Sequence, residues 1–173
     1  MATASRQTTA NVINDVIRYE MNLAKRRHIE DFVLGFFKDW KTRKETFTVT
    51  ICLEIFADTQ FRAIANLASR YVNRENFELG FHKLCHELFS RGKPDSYVVS
   101  LLAFSAYLDE ILLEKEWYES RFLYEIVIME LVMIDFNPEA YYRLNTQFGM
   151  VRSVLQSFVL LVPALLLIYL IHR

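Results

Sequence analysis

Apolar residues recur along most of this chain at spacings of three and four, the period of an amphipathic helix. The helices that this period predicts are 11–25, 51–72, 77–89, 97–108, 117–134 and 139–148. The basic run 25–28 is expected to end the first of them, and 30–40 is either a short helix or an ordered loop. The segment TFTVTI, 46–51, alternates like a strand but has no partner strand, so we expect it to begin the next helix.

The segment 97–108, YVVSLLAFSAYL, is apolar on nearly every side. Such a helix must be buried all round, which other helices achieve by wrapping it. Only four glycines and three prolines leave little material for the turns of a many-stranded sheet. The pattern therefore predicts an all-α fold, a helical bundle around a buried central helix.

The C-terminal run is almost purely apolar from Val154 to Ile171, with Phe158 and Pro163 inside it. Eighteen helical residues span about 27 Å, close to the thickness of a bilayer's hydrocarbon core. We therefore expect a transmembrane helix and a tail-anchored protein facing the cytosol; the alternative is a C-terminal helix buried against a soluble domain. The expected organisation is a flexible N-terminus (1–10), a helical domain (11–149) and a membrane anchor (150–173).

Composition and the candidate reactive residues exclude several classes of function. A net charge of −1 argues against a nucleic-acid binder, and the two cysteines give no disulfide framework. His82, Cys85 and His86 share one helix and could hold a metal, but a polar helix face is the more economical interpretation. The acidic residues of the later helices are interpreted as solvated: Asp109, Glu110, Glu114, Glu116, Glu119, Glu125 and Glu130. We expect no enzyme, no cofactor and no metal.

Two motifs in order resemble those of the Bcl-2 (B-cell lymphoma two) family of apoptosis regulators. ELFSRG, 87–92, followed by Tyr97 and Phe104, resembles the first homology motif, and LEIFAD, 53–58, resembles the third. The residues that carry these motifs are Leu53, Phe56, Ala57, Asp58, Phe89 and Gly92. The resemblance implies a Bcl-2-like helical bundle with a C-terminal anchor, similar to compact viral or invertebrate members.

The function that the resemblance implies is helix-in-groove recognition. An anti-apoptotic member would bind the amphipathic death-motif helices of pro-apoptotic Bcl-2 proteins at an intracellular membrane, the mitochondrial outer membrane or the endoplasmic reticulum. The resemblance also allows a homodimer or a heterodimer. The groove residues carried over by position are Phe61, Ile64, Leu67, Leu84, Glu87, Leu88, Tyr97, Val99, Ser100 and Phe104. For each apolar residue in this set, ordinary core packing is the alternative.

The chain departs from the family where NWGR is expected. Tyr97 stands where the family's arginine pairs with an aspartate of the partner helix. A tyrosine offers no charged fork, so partner choice is altered or another cation, such as Arg91, takes the role. Replacing Tyr97 with Arg is expected to tighten binding to aspartate-bearing helices. The alternatives to the anti-apoptotic function are a pro-apoptotic, pore-forming member of the same fold, and a membrane-anchored helical adaptor with an unrelated partner.

Overall fold

Seven α-helices make up the regular structure of the described residues. The computed structural model describes residues 2–70, 74, 75, 77–89, 94–144 and 152, and no strand occurs among them. The helices are α1 (Ala2–Thr42), α2 (Phe47–Ala57), α3 (Thr59–Ser69), α4 (Phe77–Phe89), α5 (Pro94–Leu112), α6 (Ser120–Met133) and α7 (Pro138–Leu144). The predicted all-α class is confirmed.

The first helix is longer than the apolar period predicts. α1 is continuous from Ala2 to Thr42, so the predicted end at 25–28 is wrong, and 30–40 is part of the same helix. Lysine and arginine are good helix formers, and a basic run therefore does not interrupt a helix. The helix ends at Arg43, whose φ of 53° is left-handed. The Lys44 N–H then donates to the Asp39 carbonyl at 3.0 Å, the bond that closes a Schellman motif.

The helix predicted over 51–72 is two helices, and this correction has a local cause. Thr46 caps α2, its hydroxyl accepting from the Val49 N–H at 3.4 Å, which confirms that TFTVTI begins a helix. Asp58 then takes an extended conformation, and its side chain accepts from the Phe61 N–H at 2.9 Å. An aspartate in that position starts a new helix by satisfying a free N–H of the first turn.

The core forms around α5, as the sequence predicts. From Val98 to Ala106 each residue of this helix is at most 2% exposed. The helix contacts α2, α3, α4 and α6, while α1 packs on α6, α2 and α7. Phe37, Phe81 and Tyr141 are among the largest fully buried side chains.

The chain turns sharply between α6 and α7. Asp135 has a φ of 53°, and the Phe136 N–H donates to the Leu131 carbonyl at 3.0 Å, which again closes a helix by a left-handed residue. Asn137 then caps α7, its side-chain oxygen accepting from the Glu139 N–H at 3.0 Å. α6 therefore ends at Met133 through Asp135, ahead of the stop predicted at Asn137 and Pro138, and these two residues instead begin the next helix.

Candidate functional site

Most of the predicted groove residues whose side chains are described lie inside the bundle. Phe61, Val99 and Phe104 are at most 1% exposed, and Ser100 is 2% exposed. The Phe104 ring stacks on Phe81 with centroids 5.9 Å apart. These positions therefore pack as core, the alternative given above for the apolar members of the set. Leu67 and Tyr97 are partly exposed.

The remaining predicted positions lie partly or wholly outside the described residues. The backbone places Ile64 on α3, and Leu84, Glu87, Leu88 and Phe89 on α4, without describing their side chains. Gly92 lies outside the description altogether. So do the four anchor positions, which are Val154, Phe158, Pro163 and Ile171.

The motif at 53–58 crosses the joint between α2 and α3. Leu53 is 41% exposed, whereas the buried face of α2 includes its neighbours Ile51, Cys52 and Ile55. Phe56 is partly buried and Ala57 is exposed. The Asp58 carboxylate is engaged as the cap of α3. In this conformation the motif serves as a helix boundary, with its leucine facing outward.

A buried carboxylate links three helices at one side of α5. Glu130 on α6 has a side chain only 7% exposed, so the interpretation of Glu130 as a solvated residue is wrong. Its Oε1 contacts Nδ1 of His82 on α4, and its Oε2 accepts from the Tyr97 hydroxyl at 3.2 Å. Burial raises the pKa of the Tyr97 phenol, and the nearby Cys85 and Glu130 raise it further. Tyr97 therefore donates as a neutral phenol, and its polar end has an internal partner.

A second carboxylate that was predicted to be solvated is also buried. Asp109 on α5 is 3% exposed and accepts from the Tyr118 hydroxyl at 2.6 Å. Burial raises the pKa of Tyr118, and the Asp109 hydrogen bond adds to the rise. Its neighbour Glu110 is exposed, as predicted, and binds the Arg43 guanidinium at 2.9 Å and the Trp40 indole N–H at 3.0 Å.

The histidine and cysteine side chains of α4 lie in different environments. The His82 and His86 rings lie 6.5 Å apart, while Cys85 is buried in the core. Burial raises the pKa of the Cys85 thiol well above its ordinary value, which disfavours the thiolate that a metal would need. Among the described residues no group of three or more histidine, cysteine, aspartate or glutamate side chains could hold a metal ion.

An open groove that was not predicted from the sequence runs between α4 and α6. Two adjoining cavities of about 490 and 460 Å³ share Glu75, Glu78, Ile126 and Met129. The apolar side chains that line one or both cavities are Phe77, Leu79, Trp117, Phe122, Ile126, Met129 and Met133. We call this the acidic groove because Glu75, Glu78, Glu125 and Glu130 line it, against one arginine, Arg74. His82 lies at its inner wall.

Comparisons with known proteins assign no family: no protein-family model, curated protein or solved structure matches this chain. Within the part of the chain that the structure describes, no helix is long and apolar enough to cross a membrane. The predicted anchor, 154–171, lies outside that part.

Proposed function

We propose that this chain is a Bcl-2-like regulator of apoptosis that binds amphipathic death-motif helices of pro-apoptotic partners in a surface groove. Its direction of action is anti-apoptotic. Its helical domain faces the cytosol, held by the C-terminal segment at an intracellular membrane, the mitochondrial outer membrane first among them.

The observation that carries the proposal is α5, an apolar helix buried on all sides and wrapped by α2, α3, α4 and α6. This is the architecture that the two homology motifs imply. The 53–58 motif ends α2, and the 87–92 motif begins in the last turn of α4, ahead of α5, which starts at Pro94.

Partner binding on the α3, α4 and α5 face requires a conformational change in this proposal. Phe61 and Phe104 are core residues here, so a partner helix has to part α3 from α5 before it can contact them. If the open state is a minor one, the apparent affinity falls by the fraction of molecules that are open. Variants that loosen α3 should then bind partner helices more tightly.

The test is competition binding of the full chain, in detergent micelles, to a panel of amphipathic helix peptides with apolar residues at i, i+3, i+4 and i+7. Matched control peptides carry glutamate at the i+3 and i+7 positions. We expect at least one death-motif peptide to bind below about 10 µM and its control to bind at least tenfold more weakly. Dissociation constants all above about 100 µM would contradict the groove hypothesis.

The position of Tyr97 sharpens this test. An arginine at 97 would lie beside the buried Glu130 carboxylate and pair with it, so Tyr97→Arg alone should change peptide affinity little. This replaces the expectation from sequence that Tyr97→Arg alone would tighten binding to aspartate-bearing helices. The double variant Tyr97→Arg/Glu130→Gln releases the guanidinium and should tighten binding to an aspartate-bearing peptide about tenfold, but not to its alanine counterpart. An equal change for both peptides would mean that position 97 does not face the ligand.

The direction of action is tested separately, by expressing the chain in cells given a death stimulus. Improved survival is expected. Accelerated death with liposome permeabilisation would point to the pore-forming alternative, and no effect together with no peptide binding would point to the adaptor.

A further inference from the structure

α6 carries apolar residues on two faces, and the core accounts for one of them. The face buried against the other helices includes Leu123, Val127 and Leu131. A second set, at spacings of four, three and four, lines the acidic groove and comprises Phe122, Ile126, Met129 and Met133. Counted at about 100° per residue, the two sets are centred roughly a third of a turn apart. A helix that is apolar on two faces needs a partner for each, so the second set points to a further ligand.

The second apolar set of α6 is long enough to hold a docked helix. From Phe122 to Met133 it extends about 16 Å along α6, which is three helical turns. Met129 and Met133 are 46% and 65% exposed, and Leu79, on the α4 side of the groove, is 59% exposed. Contiguous apolar side chains at this exposure are typical of an interaction surface, and methionine adapts readily to the shape of a ligand.

The charges of the groove indicate the charge of its ligand. Glu78 and Glu125 are exposed in the groove lining, and neither forms an ion pair with another described side chain. Glu75 lines both cavities, and Arg74 is the one arginine or lysine among the lining residues. An excess of carboxylates beside exposed apolar surface favours a ligand that is both basic and apolar.

The exposed carboxylates lie at one end of the groove. α4 and α6 run in the same direction along it, because Phe77 packs on Trp117 just ahead of α6, and His82 contacts Glu130 further along. The three exposed glutamates lie within, or just ahead of, the first two turns of these helices, whereas the methionines extend to the end of α6. A complementary helix therefore has its basic residues at one end and its apolar residues along the rest of one face.

We propose that the acidic groove binds an amphipathic helix of another protein, one that carries lysine or arginine at one end of an apolar face. The basic end contacts Glu78 and Glu125, and apolar residues at i, i+4 and i+7 contact Leu79 and Met129 in a helix-in-groove complex. The proposal is independent of the apoptotic function, because the groove lies between α4 and α6 and the proposed death-motif face lies on α3, α4 and α5.

The probe is a pair of fluorescently labelled model peptides, titrated with the full chain in micelles of a neutral detergent. The basic peptide has lysines in its first turn and leucines at i, i+4 and i+7. Its counterpart has glutamate in place of each lysine, and empty micelles serve as the blank for both. We expect the basic peptide to bind with a dissociation constant below about 100 µM, and its counterpart at least tenfold more weakly.

One variant tests the charge of the groove. Glu78→Gln/Glu125→Gln changes two exposed residues and should weaken binding of the basic peptide about fivefold, while binding of the glutamate peptide is not weakened. Asp15→Asn/Glu20→Gln is the matched control, because it removes two exposed carboxylates from α1, outside the groove. This control should bind the basic peptide as the wild type does.

A second variant, Leu79→Gln/Met129→Gln, tests the apolar contact and should weaken binding at least tenfold, whereas Leu113→Gln, at a residue 54% exposed outside the groove, should not. Circular dichroism verifies that each variant is folded. Three results would overturn the proposal: dissociation constants above about 100 µM, equal binding of the two peptides, or equal weakening by the groove variants and their controls. Groove variants that lose self-association but keep peptide binding would assign the groove to a second copy of the chain and would overturn it too.

Discussion

Removing the Tyr97 hydroxyl should destabilise the domain by a measurable and predictable amount. Tyr97→Phe removes the hydroxyl that donates to Oε2 of Glu130 at 3.2 Å. The Glu130 side chain is only 7% exposed, so water cannot easily replace this donor. Hydrogen bonds to charged groups contribute about 1.5–3 kcal/mol, and the long distance and partial exposure of Tyr97 place this one at about 1–2 kcal/mol. For a chain of this size such a loss lowers the melting temperature by roughly 3–6 °C.

The assay is urea unfolding followed by circular dichroism, with a double-mutant cycle to isolate the pair. Tyr97→Phe, Glu130→Gln and the double variant should show a coupling energy of about 1 kcal/mol. Tyr19→Phe is the matched control, because that ring is 65% exposed on α1 and should lose less than about 0.3 kcal/mol. If Tyr97→Phe and Tyr19→Phe unfold at the same urea concentration, the Tyr97 hydroxyl does not stabilise the Glu130 carboxylate. The hydrogen bond between Tyr97 and Glu130 then does not hold α5 to α6.

Two further substitutions test the other buried carboxylate and a helix end. Tyr118→Phe removes a 2.6 Å donor from the buried Asp109 and should cost about 2–3 kcal/mol in urea unfolding; a loss no larger than that of Tyr97→Phe would contradict the ranking by burial. Asp135→Gly should raise the free energy of unfolding by about 0.5 kcal/mol, because glycine tolerates the left-handed φ of 53° and the Lys25 ion pair lost is an exposed one. Asp135→Ala loses the same ion pair and keeps the strained Cβ, so it should be destabilising in the same measurement.

The central helix could be predicted from the sequence because the apolar segment 97–108 requires burial by itself, without knowledge of its neighbours. A segment with apolar residues on every side has to be enclosed, whatever encloses it. The start of α7 at Pro138 could be predicted for a similar reason, since proline acts locally. Asp58 was missed because the apolar period continues on both sides of it, and a single capping aspartate is a weak signal within such a run.

The buried carboxylates could not be predicted with the same rules, because their partners are distant in the chain. Glu130 contacts residues 48 and 33 positions away, and neither contact has a local signature. One signal was available: Glu130 falls within the stripe formed by Leu123, Val127 and Leu131, all buried. A carboxylate in the middle of an apolar stripe has to be either solvated at a groove or paired, and Glu130 is both paired and at the wall of the acidic groove.

The unequal attachment of the helices indicates which one would move when a partner helix binds. α4 is held by Phe77, Phe81 and Cys85 in the core and by the polar contact from His82 to α6. Among the described side chains of α3, Phe61 and Ala65 are buried, and its N-terminus is fixed by the Asp58 cap. The Glu130 carboxylate joins α4, α5 and α6 through His82 and Tyr97, and α3 takes no part in that contact. In the proposed function the groove would therefore open by displacement of α3 against the other three helices.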